Sequence, residues 1–221
     1  MDKRKALNIS SSIVNYLNFG LSFWAILYFF LPYFPHGALA GGVYCFRYFT
    51  NLSNILCGLG CLIIGIYKTI ILIKPEVKIP RWAVCVKFSG VIATSVTMLT
   101  VLCFLGPTMG FEIMYTNNNL LLHLICPLLG VLSMVFLEPE SNINKKESLS
   151  GALPTLIYGT VYAILVLGTN YWPDFYQFNS GGFWYLVFPI MLLLSMGYSL
   201  LASYLGNLVH RLYFKKSPGI D

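Results

Sequence analysis

Six apolar runs, each close to twenty residues long, fill most of this chain. A run of that length matches the roughly 30 Å of hydrocarbon that a helix rising about 1.5 Å per residue has to cross. With 57% of its 221 residues hydrophobic and only 10% charged, the chain carries more apolar surface than one soluble core can hide. The runs place membrane helices near Ser12–Leu31, Tyr48–Ile73, Trp82–Leu105, Asn119–Phe136, Leu153–Gly168 and Phe183–Leu208. The expected fold class is all-α: a polytopic, multi-pass integral membrane protein with six transmembrane helices. No linker, low-complexity tract or strong repeat divides it, so residues 1–221 read as one domain.

The net charge of +6 is explained by where the bases lie, without nucleic acid as a partner. Lys3, Arg4 and Lys5 precede the first run; Lys74, Lys78 and Arg81 separate the second from the third. Lys145 and Lys146 separate the fourth from the fifth, and Arg211, Lys215 and Lys216 end the sixth. Lys68 and Lys87 are within snorkelling reach of the same side. Every second connection is basic, which the positive-inside rule assigns to the cytoplasm together with both termini. Glu112, Asp174 and a single base, Arg47, mark the opposite side. The expected location is a plasma membrane, the inner membrane for a microbial chain. The first apolar run is too long for a signal-peptide core, and five more follow it.

Cysteines 45, 57, 61, 85, 103 and 126 form neither a CxxC pair nor a metal-ligand spacing, so no metal, organic cofactor or disulfide framework is expected. Aromatic clusters at Tyr28–Phe34 and Tyr171–Tyr176 fit an interfacial belt. His36 and His210 fit solvated ends. Thr94, Thr97 and Thr100 fit close helix packing.

Two polar sites interrupt the hydrocarbon pattern. Arg47, Thr50, Ser53 and Asn54 recur at three- and four-residue spacing near the start of the second run, with Asn51 beside them; Asn119 and His123 share that spacing in the fourth. Pro127, four residues after His123, removes a backbone donor and is expected to free the His123 carbonyl and bend the helix. Both runs travel from the outer face inward, so Thr50 and His123 should lie about 3–6 Å below the outer ends. An imidazole is the usual base for a hydroxyl nucleophile, because its pKa lies near neutrality. Arg47 or the amides of Asn51 and Asn54 would then supply donors to an oxyanion. The plainer readings are a threonine bonded to the carbonyl one turn back, a histidine bridging helices, Ser53 and Asn54 as packing contacts, and Arg47 at a lipid headgroup.

The run Phe46-Arg47-Tyr48-Phe49-Thr50-Asn51-Leu52-Ser53-Asn54, followed by Leu122-His123 with Pro127, resembles the androgen-induced protein and androgen-dependent TFPI-regulating protein family. The Tyr158–Tyr162 stretch and Trp172-Pro173-Asp174-Phe175-Tyr176 resemble the same family's later helices and outer loop. The likeness is specific around Thr50 and His123, and the chain reads as a microbial relative. Those proteins are six-span threonine hydrolases of fatty acid esters of hydroxy fatty acids. The resemblance implies Thr50 as nucleophile and His123 as base in a lipid-ester hydrolase, with Arg47, Asn51, Ser53, Asn54 and Asn119 as substrate-binding residues. The implied partners are a lipid ester and the surrounding membrane lipids.

A small-solute-binding membrane transport component is the alternative, since size, spans and basic loops fit it equally. Against it, the first run lacks paired small residues at i, i+4 for docking a transport partner; Ala25 stands alone. A haem carrier would commonly use two intramembrane histidines, and only His123 qualifies.

Overall fold

The computed structural model describes residues 3–31 and 41–214. Tyr33, Phe34, His36, Lys215 and Lys216, which entered the sequence reading, lie outside the described residues. Six helices long and apolar enough to cross a membrane follow in order: α1 (Lys3–Phe30), α2 (Phe49–Ile73), α3 (Arg81–Met109), α4 (Asn118–Phe136), α5 (Lys145–Gly168) and α6 (Trp184–Leu212). No strand occurs among the described residues. In its most apolar stretch α3 is 61% buried and α6 only 17%, so α3 forms the axis of the bundle and α6 lies at its edge.

α1 begins nine residues before the expected Ser12, because polar residues that read as pre-membrane sequence are built into the bundle. Asn8, Ser11, Asn15, Asn18, Ser22 and Ala25 recur every three or four residues and are all buried, so they form one inward stripe. The stripe meets α4 in antiparallel register. Asn118 Nδ2 donates to the Ala25 carbonyl at 3.2 Å, Asn18 Nδ2 to the Cys126 carbonyl at 2.8 Å, and Asn15 Nδ2 to Glu138 Oε1 at 2.8 Å. Each amide reaches across helices, as expected where no water competes.

Lys68 and Lys87 do not snorkel; each is 1% exposed. Lys87 Nζ pairs with Glu138 Oε1 and donates to Asn15 Oδ1 at 2.7 Å and to Ser133 Oγ at 2.8 Å, so its three protons have three acceptors. Glu138 also accepts from Ser11 Oγ at 3.3 Å and Ser141 Oγ at 3.2 Å. Lys68 Nζ lies 2.6 Å from Glu140 Oε1 and donates to Asn8 at 3.0 Å. Acids just past α4 therefore fold back under the bundle and draw the two lysines inward. Close approach of α2 and α3 holds Lys87 there: a Cβ at Gly60 would lie 2.6 Å from the Lys87 Cα, and one at Gly90 2.5 Å from the Cys57 Cα.

The same connection starts α5. Asn144 accepts from the Lys146 and Glu147 N–H groups while Glu147 accepts from the Asn144 N–H, a reciprocal cap. Glu147 also binds Arg81 at 2.5 Å. α5 thus begins at Lys145, eight residues before the expected Leu153, because this first turn is polar and capped rather than apolar.

Burial alone would raise the Glu138 pKa; the Lys87 ammonium and the Asn15 amide outweigh it and hold the carboxyl below the ordinary glutamate value. With a depressed folded pKa, this stabilisation is present above the unfolded value and is lost as pH falls through the folded one. Glu138→Ala strands a buried ammonium and should destabilise the fold by about 3–5 kcal/mol, while Lys87→Met combined with Glu138→Leu should recover most of that loss. Thermal unfolding in detergent at several acidic pH values checks both. Glu138→Gln should flatten the acid limb.

Candidate functional site

Thr50 is the second residue of α2. The turn before it, Gly42–Arg47, is a 3₁₀-helix, and Tyr48 between them is extended, with no side-chain cap for the helix start. The cap comes from the far side of the bundle: the Phe49 N–H donates to the Tyr176 hydroxyl at 3.1 Å, and the Tyr158 hydroxyl donates to the Arg47 carbonyl at 2.7 Å. The Thr50 and Tyr158 hydroxyls also approach the Tyr176 phenol.

Asp174 places Tyr176. Its Oδ1 accepts from the Phe178 N–H at 2.7 Å and the Tyr162 hydroxyl at 3.2 Å, and its Oδ2 from the Asn179 N–H at 2.8 Å. Rings then pack edge to face, Tyr162 on Tyr176 at 5.5 Å and Tyr162 on Phe178 at 5.8 Å. Tyr176 is therefore half-buried against α2 and α5, its hydroxyl turned to the start of α2 and not outward.

These groups surround a cavity of about 60 Å³ lined by Phe49, Thr50, Thr97, Thr155, Tyr158 and Tyr176, with Phe188 and Met191 of α6 on one wall. Its volume suits a slender chain segment or a few waters rather than a bulky headgroup. Threonines 69, 94, 97, 100, 108, 116, 160 and 169 each donate to the carbonyl four residues back. Thr50 and Thr155 make no such bond, and both line this cavity. Thr155 instead accepts from Ser195 Oγ at 3.1 Å. Each follows a 3₁₀ segment that holds the residue four back, Phe46 in Gly42–Arg47 and Gly151 in Leu149–Ala152, so that carbonyl is not in α-helical position.

His123 is 6% exposed and lies in a π-turn, Leu121–Ile125. Its Nδ1 is 2.7 Å from the Met114 carbonyl. A carbonyl only accepts, so Nδ1 carries the proton and Nε2 keeps the lone pair in the neutral ring. Met114 forms a buried cluster with Val101 and Leu105, a cavity wall residue, and Tyr176 packs against that cluster. No hydrogen bond joins Thr50 to His123 among the described residues.

Asn54 links the two positions. Its Nδ2 donates to the Thr50 carbonyl at 2.8 Å and to the Leu122 carbonyl at 3.0 Å. One nitrogen thus holds the backbone of Thr50 and of the residue before His123 at nearly one depth. Leu122, not His123, receives this donor, because the π-turn pairs carbonyls five residues ahead and Pro127 has no N–H to offer Leu122. Asn54 Oδ1 is buried with no partner.

The remaining site candidates stand elsewhere. Arg47 lies outside α2, its guanidinium 4.4 Å over the Tyr44 ring and 5.7 Å from that of Tyr171. Asn51 Nδ2 donates to the Cys45 carbonyl at 2.7 Å and ties down the 3₁₀ turn. Ser53 Oγ donates to the Thr50 carbonyl at 3.0 Å and meets Thr97 Oγ1 at 3.2 Å. Asn119 Nδ2 donates to the Ile113 carbonyl at 3.1 Å; the π-turn after it breaks the i, i+4 register with His123.

Two further π-turns, Val101–Leu105 in α3 and Ile164–Gly168 in α5, lie at the same end of the bundle, a kind of irregularity frequent at functional sites. Burial pushes the Tyr176 phenol up to about 12, against the bonds from the Phe49 N–H, Tyr158 and Thr50 that lower it. Tyr176 is therefore protonated at neutral pH and serves as a hydrogen-bonding group, not a base.

Comparison with protein-family models, with curated proteins and with solved structures finds no match to this chain.

Asn54→Leu should destabilise the protein by about 1–3 kcal/mol, because the buried Leu122 carbonyl loses its donor. Asn54→Asp should do no better, since a carboxylate cannot donate to two carbonyls. Unfolding midpoints in a fixed detergent check both.

Proposed function

We propose that the chain is an intramembrane hydrolase of lipid carboxylic esters, with Thr50 as nucleophile and His123 as general base. The observation that carries this reading is the pair Thr50 and Thr155. Among the described threonines these two alone lack the bond to the carbonyl one turn back, and both line one aromatic-walled cavity. A hydroxyl kept out of backbone pairing at that depth is available to a substrate, and apolar walls favour one made of hydrocarbon.

In this reading the ester enters from the lipid past α6, the least covered helix. Thr50 Oγ1 attacks the carbonyl carbon, and its proton passes through one water to His123 Nε2. The tetrahedral oxyanion collapses to an acyl-threonine, and the leaving alkoxide takes the proton from His123 and departs as the alcohol. Water then gives a proton to His123 and its oxygen to the acyl carbon; the acid leaves as the Thr50 oxygen takes that proton back from His123, which restores both groups. Met114 holds the imidazole in the tautomer this requires, and Tyr176 and Tyr158 orient the start of α2. We further propose that both termini and the Lys74–Arg81 and Glu138–Ser150 connections face the cytoplasm, from the one-sided distribution of bases. A cysteine at Lys145 that an impermeant thiol reagent labels from outside intact cells would reverse that orientation.

Thr50→Ala should abolish covalent labelling by a fluorophosphonate-type probe and lower hydrolysis of a long-chain ester by at least about a thousandfold. Thr50→Ser keeps the oxygen and should retain measurable activity, and His123→Ala should cost about a hundredfold or more. The unfolding midpoint of each variant separates loss of chemistry from loss of fold. Undiminished hydrolysis by purified Thr50→Ala ends the proposal.

A further inference from the structure

A second, larger space lies at the opposite end of the bundle. Between α6, α3 and α4 is a cavity of about 290 Å³ whose walls include Val91, Ile92, Val131 and Ala202; it runs along α6 from Tyr198 to His210. Twelve residue steps rise about 18 Å, close to half of a hydrocarbon core about 30 Å thick. A second space of about 530 Å³ shares Ile143, Ser203 and Asn207 with it, and its walls carry Lys145 and Arg211. The two adjoin across that shared wall, where Asn207 accepts from the Ile143 N–H at 3.0 Å and donates to its carbonyl at 2.6 Å; the inner space is apolar and the outer one basic at its mouth.

Two further observations point to an occupant. Lys145 and Arg211 are exposed and make no ion pair among the described residues, whereas the nearby carboxylates Glu138, Glu140 and Glu147 are held by Lys87, Lys68 and Arg81. Among the described residues, the walls of the outer space thus carry two cations and no carboxylate. Ser95 Oγ, on the inner cavity's wall, is fully buried with no partner. Serines elsewhere in α3 and α4 bond backwards along the helix, as Ser89 does to the Cys85 carbonyl at 2.8 Å; Ser95 does not.

We propose that this is a binding site for an anionic phospholipid of the leaflet that holds the basic ends of the helices. Its phosphate sits between Lys145 and Arg211, and one acyl chain fills the cavity along α6 with its ester end towards Ser203 and Asn207. The proposal is independent of the ester-hydrolase reading, because the site lies at the other end of the bundle from Thr50 and Tyr176 and involves no chemistry.

Gly206 supplies a clean test. It lines the cavity, and a Cβ there meets nothing within 4 Å, so Gly206→Leu fills the space without a clash at its Cβ and improves helix propensity. The purified full chain would be titrated with phosphatidylglycerol and with phosphatidylcholine of the same acyl chains, reading lipid adducts by native mass spectrometry and the unfolding midpoint in parallel. Phosphatidylglycerol should bind in preference. Lys145→Ala with Arg211→Ala should weaken it by at least about tenfold and leave phosphatidylcholine unchanged. Gly206→Leu should remove the preferred adduct while both cations remain. Equal binding of the two lipids, retention of phosphatidylglycerol by either variant, or equal stabilisation by inorganic phosphate, which lacks a chain, would each overturn the assignment. If the double variant does not fold, Gly206→Leu decides alone.

Discussion

In hydrocarbon a polar group without a protein partner costs several kcal/mol, because no water replaces the partner. That constraint organises this bundle. Amides join α1 to α4 and the residues just past it at three levels, two donated from α1 and one from Asn118, and the last level is the Lys87 and Glu138 pair, whose donors and acceptors are matched by Asn15, Ser11, Ser133 and Ser141. A buried ion pair is weak evidence of net stability, since apolar residues of similar volume often do as well. Its effect here is on specificity. Any slip of α1 against α4, or of α3 against either, would strand a charge, so the register of these three helices is tightly determined. The close contacts at Gly60 and Gly90 lock α2 to the same frame.

α5 and α6 are held differently. They join the frame through the capped turn at Asn144, the Arg81 and Glu147 pair, and small hydroxyls such as Ser199, which donates to the Ser148 carbonyl at 2.5 Å. The cavity at Thr50 lies on the seam between the two parts: Thr50, Thr97 and Leu105 belong to the locked frame, while Phe188, Met191 and Leu192 belong to the edge helix. The slot of about 60 Å³ is therefore bounded on one side by helices locked by the buried ion pair and on the other by α6, which is tied to α5 by hydroxyl bonds from Ser195 and Ser199.

What the sequence made legible follows from which physical signals are local. Helix number came from run length, and the shared depth of Thr50 and His123 came from helical rise; Asn54 holding both the Thr50 and Leu122 carbonyls agrees with that depth. Three features were not legible. The start of the α1 stripe, Asn8 and Ser11, looked like pre-membrane sequence, because polar residues at helical spacing lower the hydropathy that marks a span. Lys87 looked like a snorkelling residue, because its partner Glu138 is far along the chain. Tyr176 looked like a belt aromatic, because only Asp174, by accepting the N–H groups of Phe178 and Asn179, turns it inward. Spacing at Asn119 misled for a further reason: a π-turn between it and His123 changes the residues that share a face. Each case is a side-chain pairing or a backbone irregularity, and neither leaves a periodic trace.

The place of Thr50 in its helix adds a last step. A threonine inside a regular helix donates to the carbonyl one turn back, so its proton is committed and its oxygen is turned towards the backbone. At the second position of α2 that carbonyl belongs to the 3₁₀ turn and is out of reach, which leaves the hydroxyl beside the Tyr176 phenol. The same position lies at the positive end of the helix dipole, where developing negative charge on the attacking oxygen or on an ester carbonyl is favoured. A nucleophilic threonine in a membrane helix needs both conditions, and the first turn of a helix supplies both. For the proposed chemistry, the cap that Tyr176 gives to the Phe49 N–H is then more than a structural bond: it fixes where the helix begins, and so places Thr50 in the first turn, its hydroxyl facing the phenol and not the backbone.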